Sequence, residues 1–366
     1  MTGEALFPLF GKGALTIVEN LTDYDKPFLT YEEQMDLMES RNIIIQNRDF
    51  TRRALSGLSY YTIINGYKNT FLSQIGTDNF IEGTKFDDLY TLHMIDTNLN
   101  TIILKYILFV ERYLKTKLSY IISENYGVYT NIEDLSNCNP KDYLFRGNYS
   151  RSAYGRNNIL LRIKETLTSN RINPSVAHYA NDKNHIPAWI LMTNLTFGLA
   201  IKWYSILKND DKARLCTEFI PESDISISDK KEFITIAFSL LREYRNRIAH
   251  SNRTFNVTGL PVLPKRQLLT LSRNALSPDE YNKNFGKSDL FAVILVCFIL
   301  IDDRYILSNF LRDLIYILDP YKTIVMNRST ILKILGLPEN LNDRLKQLLL
   351  EKFSDINVNQ NNIERT

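Results

Sequence analysis

Residues 228–256 read SDKKEFITIAFSLLREYRNRIAHSNRTFN, and Arg242, Arg245, Asn246 and His250 within them are the side chains best suited to chemistry. Arginine carries a permanent, planar charge that matches phosphate oxygens. Histidine, with an unperturbed pKa of about 6.5, can both accept and give a proton near neutrality. Together they could cleave RNA without a metal. His250 would move a proton as a ribose 2′-OH attacks the adjacent phosphorus. Arg245 would stabilise the charge that develops on the phosphoryl oxygens. Asn246 could orient the imidazole or the phosphate.

These residues need a helix to place them, and the pattern predicts one from about Ser228 to His250. Ser228 is a plausible cap, and neither Gly nor Pro follows until Gly259. At about 100° per residue, Phe233, Ile234, Ala237, Leu241, Tyr244 and Ile248 fall on one side. Arg242, Arg245, Asn246, Ala249 and His250 share an arc of about 140° opposite. That arc has no carboxylate, because Glu243 points to its flank. The plainer alternative is a helix end whose basic residues complement the macrodipole. Spacing alone decides little: Arg171 and His178 are also separated by a few residues, but Pro174 interrupts them.

The segment RNRIAHSNRTFN is similar to the R-N-x-x-A-H-x-x-R-x-x-N signature of abortive-infection proteins of the AbiD/AbiF type. These belong to the HEPN group of helical ribonucleases. Arg245, Asn246, Ala249, His250, Arg253 and Asn256 occupy the matching places. Upstream, Lys26–Ile45 resembles the family's opening helix and turn, Leu58–Tyr67 its tyrosine-rich segment, and Ile186–Gly198 its "L-P-x-W … L-T-F-G" segment. Ile248 stands where the family often has Cys, a departure that should touch only packing. The resemblance implies an all-α, HEPN-like helical bundle with an N-terminal helical extension. It also implies an endoribonuclease of bacterial anti-phage abortive infection or of a toxin–antitoxin system, and in some members a companion small RNA. Two motifs meet in the family's cleft. This chain offers one, so a homodimer is expected, with Arg245 and His250 supplied by both copies. The alternative from another class is a non-cleaving protein that holds a structured small RNA in the same cleft. A protein-only toxin or partner-binding module is a third reading.

Composition sets limits around this. The chain of 366 residues is 44% apolar and 11% aromatic, enough to bury a real core. Its net charge of +3 is too mild to announce a nucleic-acid partner, so binding must come from local clustering. One such cluster is KDYLFRGNYSRSAYGR, which interleaves Arg146, Arg151 and Arg156 with Tyr143, Phe145, Tyr149 and Tyr154. From Lys141 to Arg171, seven basic residues face two acidic ones. Basic residues for phosphates mixed with aromatics for bases suit single-stranded RNA. We therefore expect RNA contact from Arg146, Arg151, Arg156, Tyr149 and Tyr154, together with Arg242 and Arg253 beside the motif. Arg52 and Arg53 could also face RNA, although such a pair is more often a solvated surface.

Other chemistries find little support. Cys138, Cys216 and Cys297 form neither a zinc spacing nor a disulfide framework, which suits a reducing cytoplasm. There is no H-E-x-x-H, P-loop or C-x-x-C motif, and no cofactor or metal is expected. Asp302 and Asp303 are adjacent, so on a helix they diverge by about 100°. No signal peptide is expected, and the apolar run Leu290–Ile301 is too short to span a bilayer.

The chain divides on this reading into an N-terminal helical region, 1–85, a helical domain, 86–325, and a C-terminal part, 326–366, of short helices and a frayed end. Helices are expected at 30–40, from Asn47 or Asp49 to Gly57, and at 88–125, 157–169, 187–208 and 210–219. Further helices follow at 289–301, 303–318, 328–335 and 339–353, with a long loop over 257–288. At least two of Tyr60, Tyr61 and Tyr67, and both Trp189 and Trp203, are assigned to the core. His93, His178 and His185 are read as structural or exposed.

Overall fold

A computed structural model describes residues 26–74, 76–129, 139–168, 173–183, 185–250 and 253–363. The expectations for residues 1–25, Cys138 and Arg171 lie outside them. The protein is all-α; its only sheet among the described residues is a hairpin of β1 (Val325–Met326) and β2 (Ser329–Thr330). Contacts divide the chain into residues 1–93 and 94–366, a boundary that falls inside the longest helix.

In the first unit, Thr30 and Glu33 form a capping box ahead of α1 (Tyr31–Ser40), each bonding the other's backbone N–H. Asn47 caps α2 (Arg48–Leu58) through a bond from Phe50 N. Arg48 ties the two helices together by pairing with Glu32, Asp36 and Glu39. The tyrosine-rich segment then forms one π-helical turn, Tyr61–Asn65. Only Tyr67 of its three tyrosines is buried. Tyr60 is half-buried, accepting a bond from Arg41, and Tyr61 is 75% exposed. The π turn shifts side-chain phase, which sequence periodicity does not foresee. The buried Tyr67 hydroxyl lies 3.2 Å from His93 Nδ1, so His93 is structural, and burial lowers its pKa.

The long helix α3 (Phe86–Tyr126) runs from this unit into the next. Its apolar residues at three- and four-residue spacing, from Leu89 to Ile122, are buried. Gly127 ends it with φ +75°, and a Cβ there would stand 2.2 Å from the Lys141 carbonyl oxygen. In the second unit follow α4 (Arg156–Thr168), α5 (Pro174–Asp182), α6 (Ala188–Leu191), α7 (Phe197–Ile206), α8 (Asn209–Phe219) and α9 (Ile227–Ala249). The helix expected over 187–208 is broken. Leu195 turns extended, and Thr196 caps a new helix by accepting from Leu199 N. Trp203 is fully buried, but Trp189 is 53% exposed, so it is not a core residue. The short α5 lies between the helices expected at 157–169 and 187–208: Asn173 caps it, and Pro174 occupies a first-turn position that needs no N–H.

The stretch 257–288 is not one long loop. It holds α10 (Lys265–Ser272) and α11 (Pro278–Asn282), the second started by a Ser277–Glu280 capping box with Pro278 in the first turn. Next come α12 (Leu290–Leu300) and α13 (Arg304–Leu318). Every residue of α12 is buried, as expected of a helix that is apolar on all sides. Asp289 caps its start, and the Lys352 ammonium donates to the carbonyls of Phe298, Ile299 and Ile301 at its end. Burial lowers the Lys352 pKa to about 8. After the hairpin, α14 (Ile331–Ile334) and α15 (Leu341–Ile363) complete the chain; α15 extends past the expected end at 353.

Candidate functional site

The motif helix α9 is capped by Ser226, not Ser228: the Ser226 hydroxyl accepts from Asp229 N. Its inner side is apolar: Phe233, Ile234, Ala237, Phe238, Leu240, Leu241 and Tyr244 are buried. Phe238 meets the rings of Phe197, Tyr204 and Phe219, at centroid distances of 6.4, 5.8 and 5.5 Å. That aromatic cluster anchors α7 and α8 to α9. Ile248, assigned to the core, is only half-buried in the final turn.

The outer arc is open. Asn246, Ala249 and His250 are exposed, and Arg245 is half-exposed. Among the described residues, the side chains of Arg245, Asn246 and His250 have no hydrogen-bond or ion-pair partner. Ala249 adds only a methyl between them, leaving room for a ligand. His250 ends the helix as its C-cap, its N–H reaching the carbonyls of Asn246 and Arg247. Beyond it, Thr254 is fully buried, its hydroxyl 2.6 Å from Asn100 Oδ1 and 3.1 Å from Asp96 Oδ1 on α3. Asn256 turns the chain with φ +51°, a conformation asparagine tolerates better than most residues. Thus Thr254, four residues past His250, is tied to α3.

A cleft of about 690 Å³ runs beside this arc. Arg242, Glu243 and Asn246 form one wall, with Arg162, Glu165 and Thr166 of α4 opposite. Thr196, Gly198, Leu199 and Lys202 of α7 and its cap complete it. Asn194 fixes the rim: its amide donates to the Thr166 carbonyl and its oxygen accepts from Asn173 N. A methyl at Gly198 would stand in ordinary contact with Arg242 Cδ at 3.5 Å, so α7 and the Arg242 stem lie close together there. Arg242 pairs with Glu243 at 2.8 Å. Arg245 and His250 are not part of the cleft walls.

The tyrosine- and arginine-rich stretch separates into two roles. Tyr149 is 1% exposed and cannot stack on a base. Its hydroxyl donates to the Tyr143 carbonyl and accepts from Trp203 Nε1, so it is a core anchor, and its assignment to RNA contact is withdrawn. Its hydroxyl pKa is pushed well up by burial. Tyr143 is likewise buried, donating to the Ile186 carbonyl. Arg146 and Arg151 are exposed, and Tyr154 is 99% exposed, but none of them lines the cleft. Arg156 is half-buried and leans on the Ser150 carbonyl. Arg253 lies 5.2 Å from the Phe255 ring centroid, beside the motif. Composition counted Arg162 among local basic residues without assigning it a role, and Lys202 and Glu165 carried no signal at all as cleft residues.

The model of the Abi-like protein family matches residues 53–256, which span α2 to the turn at Asn256. The chain belongs to the Abi-like family. No curated protein and no solved structure matches it. Abi-like membership points to abortive-infection defence. The matched span includes Leu58–Tyr67, Ile186–Gly198 and the motif from Arg245 to Asn256, and it leaves out Lys26–Ile45. Among the described residues, no group of three or more His, Cys, Asp or Glu side chains is arranged to hold a metal ion. None of the helices described is long and apolar enough to cross a membrane.

Proposed function

We propose that this Abi-like protein is an endoribonuclease of the HEPN type, active in anti-phage abortive infection or as a toxin. One observation carries the reading: the guanidinium of Arg245, the amide of Asn246 and the imidazole of His250 stand together on an open helix face, uncommitted among the described residues. A water-facing surface of ordinary function would mix carboxylates into that arc, and none is there.

The chemistry follows from these groups. The His250 imidazole takes the proton of a ribose 2′-OH, and the freed oxygen attacks the neighbouring phosphorus. The bond from phosphorus to the 5′-oxygen breaks, and that oxygen receives a proton from an imidazolium. The products are a 2′,3′-cyclic phosphate and a 5′-hydroxyl. Arg245 stabilises the charge that grows on the phosphoryl oxygens, and Asn246 orients the phosphate. The acid and the base must act from opposite sides of the phosphorus, and each chain contributes a single motif. The complete site is therefore a homodimer in which both copies supply Arg245 and His250.

Incubation of the purified protein with RNA in EDTA tests this. Cleavage leaving 2′,3′-cyclic ends, lost in His250→Ala and absent on DNA, which lacks the 2′-OH, is the expected result. Tight RNA binding without any cleavage would replace this reading with that of a protein holding a small RNA.

A further inference from the structure

Three cations from three separate helices meet in the cleft beside the motif: Arg162 of α4, Lys202 of α7 and Arg242 of α9. The sequence separates them by tens of residues, so only packing brings them together. Arg162 is exposed and Lys202 half-exposed, and neither side chain has a partner among the described residues. Cations that serve stability are usually found pairing with carboxylates, as Arg242 does with Glu243. Glu165 and Glu243 are the acidic groups of the cleft and leave it with a net positive charge. Along α9, Arg242, Asn246 and His250 fall within about 80° of one another, each about 6 Å further along the axis. The cleft thus leads along the helix face toward His250.

We propose, building on the ribonuclease reading, that this cleft is the bed of a single RNA strand. Arg162 and Lys202 hold the phosphates next to the one being cut, and Arg242 exchanges Glu243 for a phosphate when the strand enters. Thr196, Asn194 and Thr166 shape the passage through their caps and rim bonds. Phosphate recognition of this kind is indifferent to the 2′-OH, so a DNA strand of the same sequence also binds, without being cut.

The test uses a fluorescein-labelled single-stranded RNA of about twelve nucleotides, with anisotropy read across a salt series and cleavage read on gels. The Arg162→Ala/Lys202→Ala double variant should lose about tenfold or more in affinity at moderate salt. Its slope of log K against log[salt] should be shallower by about 1.4, two contacts at about 0.7 each. Glu243→Gln should bind a few-fold more tightly, because it removes the carboxylate that competes for Arg242. A tighter-binding variant cannot be explained by misfolding, and both proteins should melt as wild type does. If the double variant keeps wild-type affinity and salt slope while His250→Ala abolishes cleavage, the ribonuclease reading survives and the RNA bed is refuted. If the wild-type protein neither binds nor cuts the RNA, both fall.

Discussion

At the scale of the residue, Arg245 and His250 carry opposite burdens to the buried polar groups. In the proposed ribonuclease they touch the RNA and nothing inside the protein, so their removal should alter chemistry and leave stability alone. We expect His250→Ala to lower the cleavage rate by about 10²–10⁴-fold, the range for a general acid–base group. Arg245→Ala should cost on the order of 10²–10³ by removing charge stabilisation in the transition state. Chemical unfolding of both variants should match wild type within about 0.5 kcal/mol, as for exposed residues without partners. Glu280 is the contrast. Arg344 donates to both of its oxygens, at 2.8 and 2.9 Å, and Ser277 adds backbone and hydroxyl bonds. The Arg344 bonds lead in holding its pKa at about 2, below the usual 4.5. The depressed value means that Glu280 stabilises the fold above pH 4.5, and that this contribution disappears as pH falls toward 2. Glu280→Gln should therefore cost about 2 kcal/mol in urea melts at pH 7, after allowance for solvent screening, with the difference from wild type shrinking through the acid range.

At the scale of the element, the positions of the motif groups depend on how helices start and stop. Gly127 lets α3 end where the Lys141 carbonyl comes close. Gly127→Ala combines a left-handed backbone with a steric clash and should destabilise the protein by at least about 2 kcal/mol, read by thermal or urea unfolding. Thr254, four residues past His250, is held by its hydroxyl between Asn100 and Asp96. Thr254→Val keeps the shape but removes the donor to a buried carboxylate and amide. We expect a loss of about 1–2 kcal/mol in stability, together with a fall in RNA cleavage larger than that of a surface control. Some of these devices could be read in the sequence. The Thr30–Glu33 box and the Asn47 cap were visible as side chains at fixed offsets. The Ser277-Pro278-Asp279-Glu280 box carried the same signal inside a stretch assigned to a loop. The break at Thr196 was hidden because Leu195 and Phe197 continue an apolar pattern on both sides of it.

At the scale of the whole molecule, one motif per chain makes the assembly part of the proposed reaction. Co-expression of wild-type chains with an equal amount of His250→Ala chains provides a direct check on the whole purified pool of dimers. If both copies supply groups to one site, only about a quarter of randomly paired dimers retain two intact motifs, and activity should fall to about that level. A fall to only half would mean that each copy works independently, and the shared site would have to be abandoned.

The sequence by itself determined the all-α class, the position of the motif helix and the face on which Arg245, Asn246 and His250 stand. Those properties follow from local periodicity and capping, which act over one or two helical turns. It also carried enough of the family's spaced signature to place the chain among Abi-like proteins. Tertiary structure alone decided that Tyr149 turns inward while Tyr154 turns out, that Trp189 reaches solvent, and that Arg162, Lys202 and Arg242 share one cleft. An aromatic ring is equally suited to a core and to a nucleobase, and a cation's neighbours across a cleft are set by helix packing over long sequence separations, which no local pattern records.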